Sequence, residues 1–275
     1  MRRLLPLVLL ACSSDPSPKD RPTLYGGARE VELDVPDGFT EGKQYPLILV
    51  LHGYGANGFA QKAVFQTKGI LDSNDALVLA PDGTVDSMGK QFWNAGPECC
   101  DFDGKNPDDV AYLGGLLDAV MADWPVDPAR VYLVGHSNGG YMSYRMACER
   151  ADIIASIGVL AGLVSSAPAC NPAHPVSVLH MHGTADELVP FTEAASSITA
   201  WEGHDHCGTT MTAGADLDIE SNLAGAETHT SVADGCPSGV GIEEWTIEGG
   251  SHIPSFGPTY GRRVFDWLSA HPRVP

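Results

Sequence analysis

The chain has 275 residues, 43% of them apolar, which is enough to bury one large core or two modest ones. Its 35 acidic against 16 basic side chains give a formal net charge of −19, and such a surface repels a phosphate backbone, which speaks against a nucleic-acid partner. The longest apolar run beyond the N-terminus, "IIASIGVLAGLV" (153–164), is too short to span a bilayer.

In chain order, residues 1–11 ("MRRLLPLVLLA") have the layout of an export signal: a basic start, a short apolar stretch and a small residue. The ending "LLAC" is similar to the lipobox of bacterial lipoproteins, in which Cys12 carries the lipid and becomes the new N-terminus. An ordinary cleaved signal is the alternative. Residues 12–24 then read as the lipidated cysteine and a polar tether ("SSDPSPKDRP"), and residues 25–275 as a single domain. The expected location is the outer membrane or cell surface, with the lipid on Cys12 as the only membrane contact.

"REVELDV" (29–35) alternates apolar and polar residues, as a half-exposed edge strand does. The runs 46–51, 76–80, 130–134, 155–160 and 176–181 are short, apolar and end in turn residues, which suits strands buried on both faces of a parallel sheet. Between them, 108–124 sets Val110, Leu113, Leu117, Val120 and Met121 on one helical face, with Asp108 or Asp109 as N-cap; 141–151 and 260–270 read as further helices. Strands alternating with helices predict one α/β domain with a mostly parallel sheet. The stretch from Trp201 to Cys236 has little periodicity and reads as an irregular, extended insertion that shapes a pocket wall.

Six cysteines follow Cys12, and an even number in an exported chain suggests disulfides; no Cys-x-x-Cys spacing supports zinc. Cys207 with Cys236 is the preferred pair, because it clips the insertion between them. Cys99 and Cys100 either bridge each other or reach elsewhere, for instance to Cys148 or Cys170.

The chemistry centres on "GHSNGG" (135–140), which follows the strand "RVYLV" and precedes a helix. That context turns a Gly-x-Ser-x-Gly pattern into a sharp turn that lifts Ser137 above the sheet as a nucleophile. The helix N-terminus adds amide donors where an oxyanion would form, with the backbone N–H of Asn138 as one of them. A serine needs a base and the base an orienting carboxylate, in the chain order Ser, Asp, His. Asp186, in "HGTADELVPF" after a strand, is the expected carboxylate, with Glu187 and Asp205 as weaker substitutes. His252, in "IEGGSHIPSF", is preferred as base over His204, His206, His229 and His271. The second oxyanion donor is expected from "HGYG" (52–55), at the N–H of Tyr54. Trp93 and His136 are candidate substrate contacts, Trp93 being equally readable as a packed anchor. His180 and His182 alternate on one strand as metal ligands would, but no third ligand is evident, and no metal is expected. "DFDGKNPDD" (101–109) lacks the calcium-loop spacing and reads as a solvated loop.

"LVLHGYGANG", "APDG", "FWNAG" followed by "CC", "PDDVAYL", "VYLVGHSNGGYMSYRMACE", "IGVLAG", "LHMHGTADELVPF" and "EGGSHIPSF" occur here in the order seen in polyhydroxybutyrate depolymerase-like esterases. That group includes feruloyl and acetylxylan esterases. From about Pro46 onward the chain resembles them, which implies an α/β-hydrolase fold with helices on both sheet faces, no cofactor, and Ser137, Asp186 and His252 as a triad acting through an acyl-enzyme. Tyr54 stands where such depolymerases often have cysteine, and there is no room for a separate polymer-binding domain. The expectation is a monomeric serine esterase for a hydroxyalkanoate, feruloyl or acetyl ester, polymeric or not. The rivals are a serine peptidase on the same fold and a non-catalytic surface-binding lipoprotein.

Overall fold

A computed structural model describes residues 20–274. The expected signal, Cys12 and the tether as far as residue 19 lie outside the described residues. In chain order the strands are β1 (Leu24–Tyr25), β2 (Val31–Asp34), β3 (Tyr45–Leu51), β4 (Leu77–Leu79), β5 (Thr84–Val85), β6 (Gln91–Phe92), β7 (Val126–His136), β8 (Ser156–Leu160), β9 (Ser177–Gly183), β10 (Met211–Ala213), β11 (Thr228–Ala233) and β12 (Ile242–Ile247). The helices are α1 (Gly58–Val64), α2 (Thr67–Asp72), α3 (Asp109–Asp123), α4 (Asn138–Glu149), α5 (Ala194–His204) and α6 (Tyr260–Ala270).

One sheet runs in the order β1-β2-β4-β3-β7-β8-β9-β12-β11-β10, while β5 and β6 pair separately. Its centre, from β4 through β3, β7, β8 and β9 to β12, is parallel, and the outer strands are antiparallel. This is the expected α/β-hydrolase fold. The period-two geometry of a strand splits the core into two layers. Leu47, Leu49 and Leu51 of β3 meet Tyr141, Met142 and Met146 of α4 on one face, within the same cluster as Ile198 and Trp201 of α5. Ile48 and Val50 meet Val264, Phe265 and Leu268 of α6 on the other. All five β3 side chains are at most 2% exposed. Truncating any one to alanine would therefore cost about 2–5 kcal/mol in the leucine and isoleucine cases.

Asp108 caps α3 by accepting from the Ala111 N–H, while Asp109 is buried and pairs with Arg29 at 2.7 Å. Three disulfides join Cys207 to Cys236, Cys148 to Cys170, and Cys99 to Cys100. The first is the preferred pair, and the neighbours bridge each other. The insertion is more regular than expected: it holds the end of α5, and β10 and β11 extend the sheet beyond β12. The pattern was hidden because β11 turns Thr228 and Thr230, rather than aliphatic residues, to its buried face. Among the described residues no helix is long and apolar enough to cross a membrane.

Candidate active site

Four loops leave the carboxyl ends of neighbouring parallel strands and gather there, where open α/β sheets bind ligands. They follow β3, β7, β9 and β12 and carry Tyr54, Ser137, Asp186 and His252. Ser137 sits between β7 and α4 with φ 54° and ψ −122°, a conformation that a residue with a Cβ rarely adopts. The turn closes only because its flanks are glycine: a Cβ on Gly135 would strike the carbonyl oxygen of Gly139, and one on Gly139 that of Leu51.

His252 Nδ1 lies 2.8 Å from Asp186 Oδ2. Asp186 Oδ1 accepts from the Leu188 and Val189 amides at 2.8 and 2.9 Å. Burial alone would push this carboxyl up, but the hydrogen bonds from His252 and from the two amides prevail and hold it below the ordinary carboxylate range. The imidazole thus faces a permanent negative charge. Glu187 is exposed, and Asp205 is fully buried where it accepts from Val176 N, just before the opposite end of β9. His229 instead pairs with Asp216, His204 packs on Trp201, and His271 Nδ1 contacts the Trp267 carbonyl.

His136 packs against the loop of His252. It is 6% exposed, and its Nε2 lies 2.8 Å from the carbonyl oxygen of His252. A carbonyl only accepts, so Nε2 carries the proton; burial pushes the ring's pKa down to about 4 and keeps it neutral. The two rings lie 4.8 Å apart, so the residue before Ser137 braces the loop of His252.

Of the two readings of Trp93, pocket lining or packed anchor, its full burial fits the anchor. Its Nε1 donates to the His52 carbonyl at 3.1 Å, its amide donates to Asn138 Oδ1 at 2.7 Å, and its carbonyl accepts from Asn138 Nδ2 at 2.9 Å. The loop after β3 and the start of α4 are therefore tied through one residue, by the indole on one side and the Trp93 backbone on the other. Sequence reasoning missed this role for the Asn138 side chain, and nothing local to either residue signals it. His52 completes the brace: its Nδ1 donates to the Gly53 carbonyl and its Nε2 accepts from Gly83 N. A Cβ on Gly53 would stand 3.3 Å from that of Ser137, so the Tyr54 segment runs alongside the serine. Among the described residues the backbone N–H groups of Tyr54 and Asn138 have no acceptor, as oxyanion donors require.

The rim is apolar. Phe102 meets the Tyr54 ring edge-on at 5.3 Å, and Met88 and Phe102 are each 66% exposed. Leu188 and Ile253, neighbours of Asp186 and His252, are exposed as well. The Tyr54 hydroxyl donates to Asp86 at 2.5 Å, which fixes the ring. In the 101–106 loop, Asp101 accepts from the Lys105 and Asn106 amides, capping the loop from within.

The family model described as "Putative esterase" matches residues 23–220. The chain belongs to this esterase family. Among its relatives, Feruloyl esterase B of Piromyces equi is 29% identical over 240 residues, which cover 83% of this chain and 43% of the relative. Feruloyl esterase C of Emericella nidulans is 28% identical over 250 residues, covering 83% of this chain and 87% of the relative. The acetyl xylan esterase from Aspergillus awamori shares the esterase's fold with a TM-score of 0.65 at 13% identity, covering 88% of this chain and 94% of that one.

Proposed function

We propose that this esterase is an exported serine hydrolase that cleaves feruloyl or acetyl esters on polysaccharide through an acyl-enzyme. The observation that carries the reading is the strained Ser137 turn beside a buried Asp186–His252 pair, with the unpartnered backbone amides of Tyr54 and Asn138 on segments adjacent to the serine. Ser137 Oγ attacks the ester carbonyl and His252 Nε2 takes its proton, while Asp186 holds Nδ1–H and stabilises the imidazolium. The Tyr54 and Asn138 amides receive the oxyanion. The imidazolium then protonates the leaving alkoxide, and water, deprotonated by the same ring, releases the acid and restores the serine.

An aryl acyl group is favoured by the exposed ring of Phe102, packed edge-on against the half-buried ring of Tyr54, whose segment runs alongside the serine; together they give a planar aromatic acid apolar surface to lie on. The feruloyl and acetyl xylan esterase relatives support the same substrate class. Three disulfides favour an oxidising compartment. A lipid anchor on Cys12 is part of the proposal and rests on the sequence alone.

The test is ferulate release from methyl ferulate beside turnover of p-nitrophenyl acetate, each corrected with Ser137→Ala. Turnover of both is expected, with Ser137→Ala lower by several orders of magnitude. Retention of more than about a tenth of the activity by that variant would overturn the nucleophile. Turnover of the acetate alone would leave the triad standing and move the substrate to acetylated glycans or short aliphatic polyesters. Cleavage of aminoacyl amides with no ester turnover would mean a peptidase.

A further inference from the structure

Two imidazoles and a phenol lie buried behind Asp186 and take no part in the steps above. His180 and His182 alternate along β9, so both turn to the face that packs on α4 and α5. Both are fully buried, and Tyr144 of α4 is 1% exposed. Their neighbours on β9, Val178, Leu179 and Met181, are apolar and buried. Two imidazoles there are costly unless their nitrogens find partners.

They do find partners, in one file. His182 Nε2 lies 3.0 Å from the Val189 carbonyl and 3.2 Å from Asp186 Oδ2. His182 Nδ1 lies 3.3 Å from His180 Nε2, and His180 Nδ1 lies 2.9 Å from the Tyr144 hydroxyl. The proton positions follow by elimination. Nε2 of His182 faces two acceptors, so it must carry the hydrogen. Burial keeps both rings neutral, with the pKa of His180 pushed down to about 3 and that of His182 lowered. A neutral ring carries one N–H, so His182 Nδ1 is bare and accepts from His180 Nε2–H. His180 Nδ1 is then bare in turn and accepts from the Tyr144 O–H. Every donor in the file points toward Asp186.

The other charged group beside the file is Glu244, which sits in register with His180 on β12 and whose carboxyl is raised by burial. At the far end His252 occupies the same carboxylate oxygen that His182 faces. Asp186 Oδ2 thus lies between two imidazole N–H groups, one on the reacting side and one on the core side. The same His182 N–H also faces the Val189 carbonyl, so it ties the 186–189 turn to β9.

We propose that His182, backed by His180 and Tyr144, is a positioning residue that fixes the orientation of Asp186 toward His252. The proposal rests on the triad reading above. Its test uses the full chain and three variants, His182→Ala, His182→Gln and Tyr144→Phe, with Ser137→Ala as reference. Turnover of p-nitrophenyl acetate gives kcat and KM, and nitrogen NMR of histidine-labelled wild type gives the tautomers without reference to activity.

The expected result is that both His180 and His182 carry hydrogen at Nε2. His182→Ala should lose about tenfold or more in kcat, with KM within about twofold, the loss of one N–H held close to a charged group. His182→Gln, whose amide can donate in the same place, should recover most of that loss. Tyr144→Phe should show a smaller fall in kcat with the same unchanged KM. Hydrogen at Nδ1 of His182 would overturn the proposal even if His182→Ala failed to fold. So would unchanged kcat in folded His182→Ala, or a loss in His182→Ala and His182→Gln alike. Activity persisting in Ser137→Ala would instead overturn the triad, an outcome that the wild-type tautomers do not depend on.

Discussion

His136 Nε2 stands 2.8 Å from the carbonyl oxygen of His252, so the residue that precedes the nucleophile also pins the loop of the base. The two residues lie 116 positions apart, and this bond ties the end of β7 to the loop of the base. His136→Phe keeps a ring against His252 but removes the donor and leaves a buried carbonyl unpaired, at a cost of about 1–3 kcal/mol. The expected outcome is a fall of about tenfold in kcat/KM, with His136→Gln, which retains an N–H, closer to wild type. Equal activity in all three proteins would show that the loop does not depend on the brace.

Ser137 holds φ 54°, which glycine adopts without penalty and serine does not. Relief of that strain is worth about 1–3 kcal/mol, offset by about 0.4–1 kcal/mol for the greater freedom of glycine in the unfolded chain. Ser137→Gly is therefore expected to be inactive and more stable by about 1 kcal/mol. Urea unfolding beside wild type checks this, and Ser137→Ala, which keeps the strain, should show no such gain.

Glu220 ties the insertion to the loop of the base. Its carboxylate accepts from the Ser255 amide at 2.8 Å and from the Asn222 and Leu223 amides at 2.7 and 2.8 Å. Glu220→Ala orphans three amides, and the expected loss is about 2 kcal/mol or more of stability together with a drop in kcat. Hydrogen exchange should rise at residues 252–257. If exchange rose only within 217–223, the insertion would be a neighbour of the site and not its support.

How far the sequence could be read follows from what each element uses for its contacts. Helix α6 was legible to the residue because Tyr260, Val264, Phe265, Trp267 and Leu268 repeat at helical spacing and all are buried. Asp186 and His252 were legible because their loops follow strands in the required order. Helix α5 was not: "AASSITAWEGH" is mostly small or polar, and its packing rests on Ile198 and Trp201. Trp93, Asn138, His136 and His182 share a further limit. Each is defined by a partner far along the chain, so local pattern carries the residue type but not the bond it makes.

Asp205, the weaker alternative for the triad carboxylate, controls stability instead. It is fully buried, Oδ1 accepts from Val176 N, and Oδ2 has no partner among the described residues. Burial raises its pKa from the ordinary 3.8 to about 7. Between those values the folded state holds a proton that the unfolded state has released, so this group's contribution falls as pH rises through that window. His52, His136, His180 and His182 act in the opposite sense: burial lowers each from 6.5, so the unfolded chain binds protons first and stability falls as pH drops below that value. Wild type is thus squeezed from both sides near neutrality. Asp205→Asn removes the ionisable carboxyl while its side-chain oxygen can still accept from Val176 N. The variant should match wild type near pH 4 and exceed it at pH 8 by on the order of a few kcal/mol, which moves the stability maximum upward. Denaturant unfolding at both pH values measures the difference. A gap of the same size at each would mean that Asp205 ionises alike in the folded and unfolded chain, and that the lone Oδ2 is hydrated.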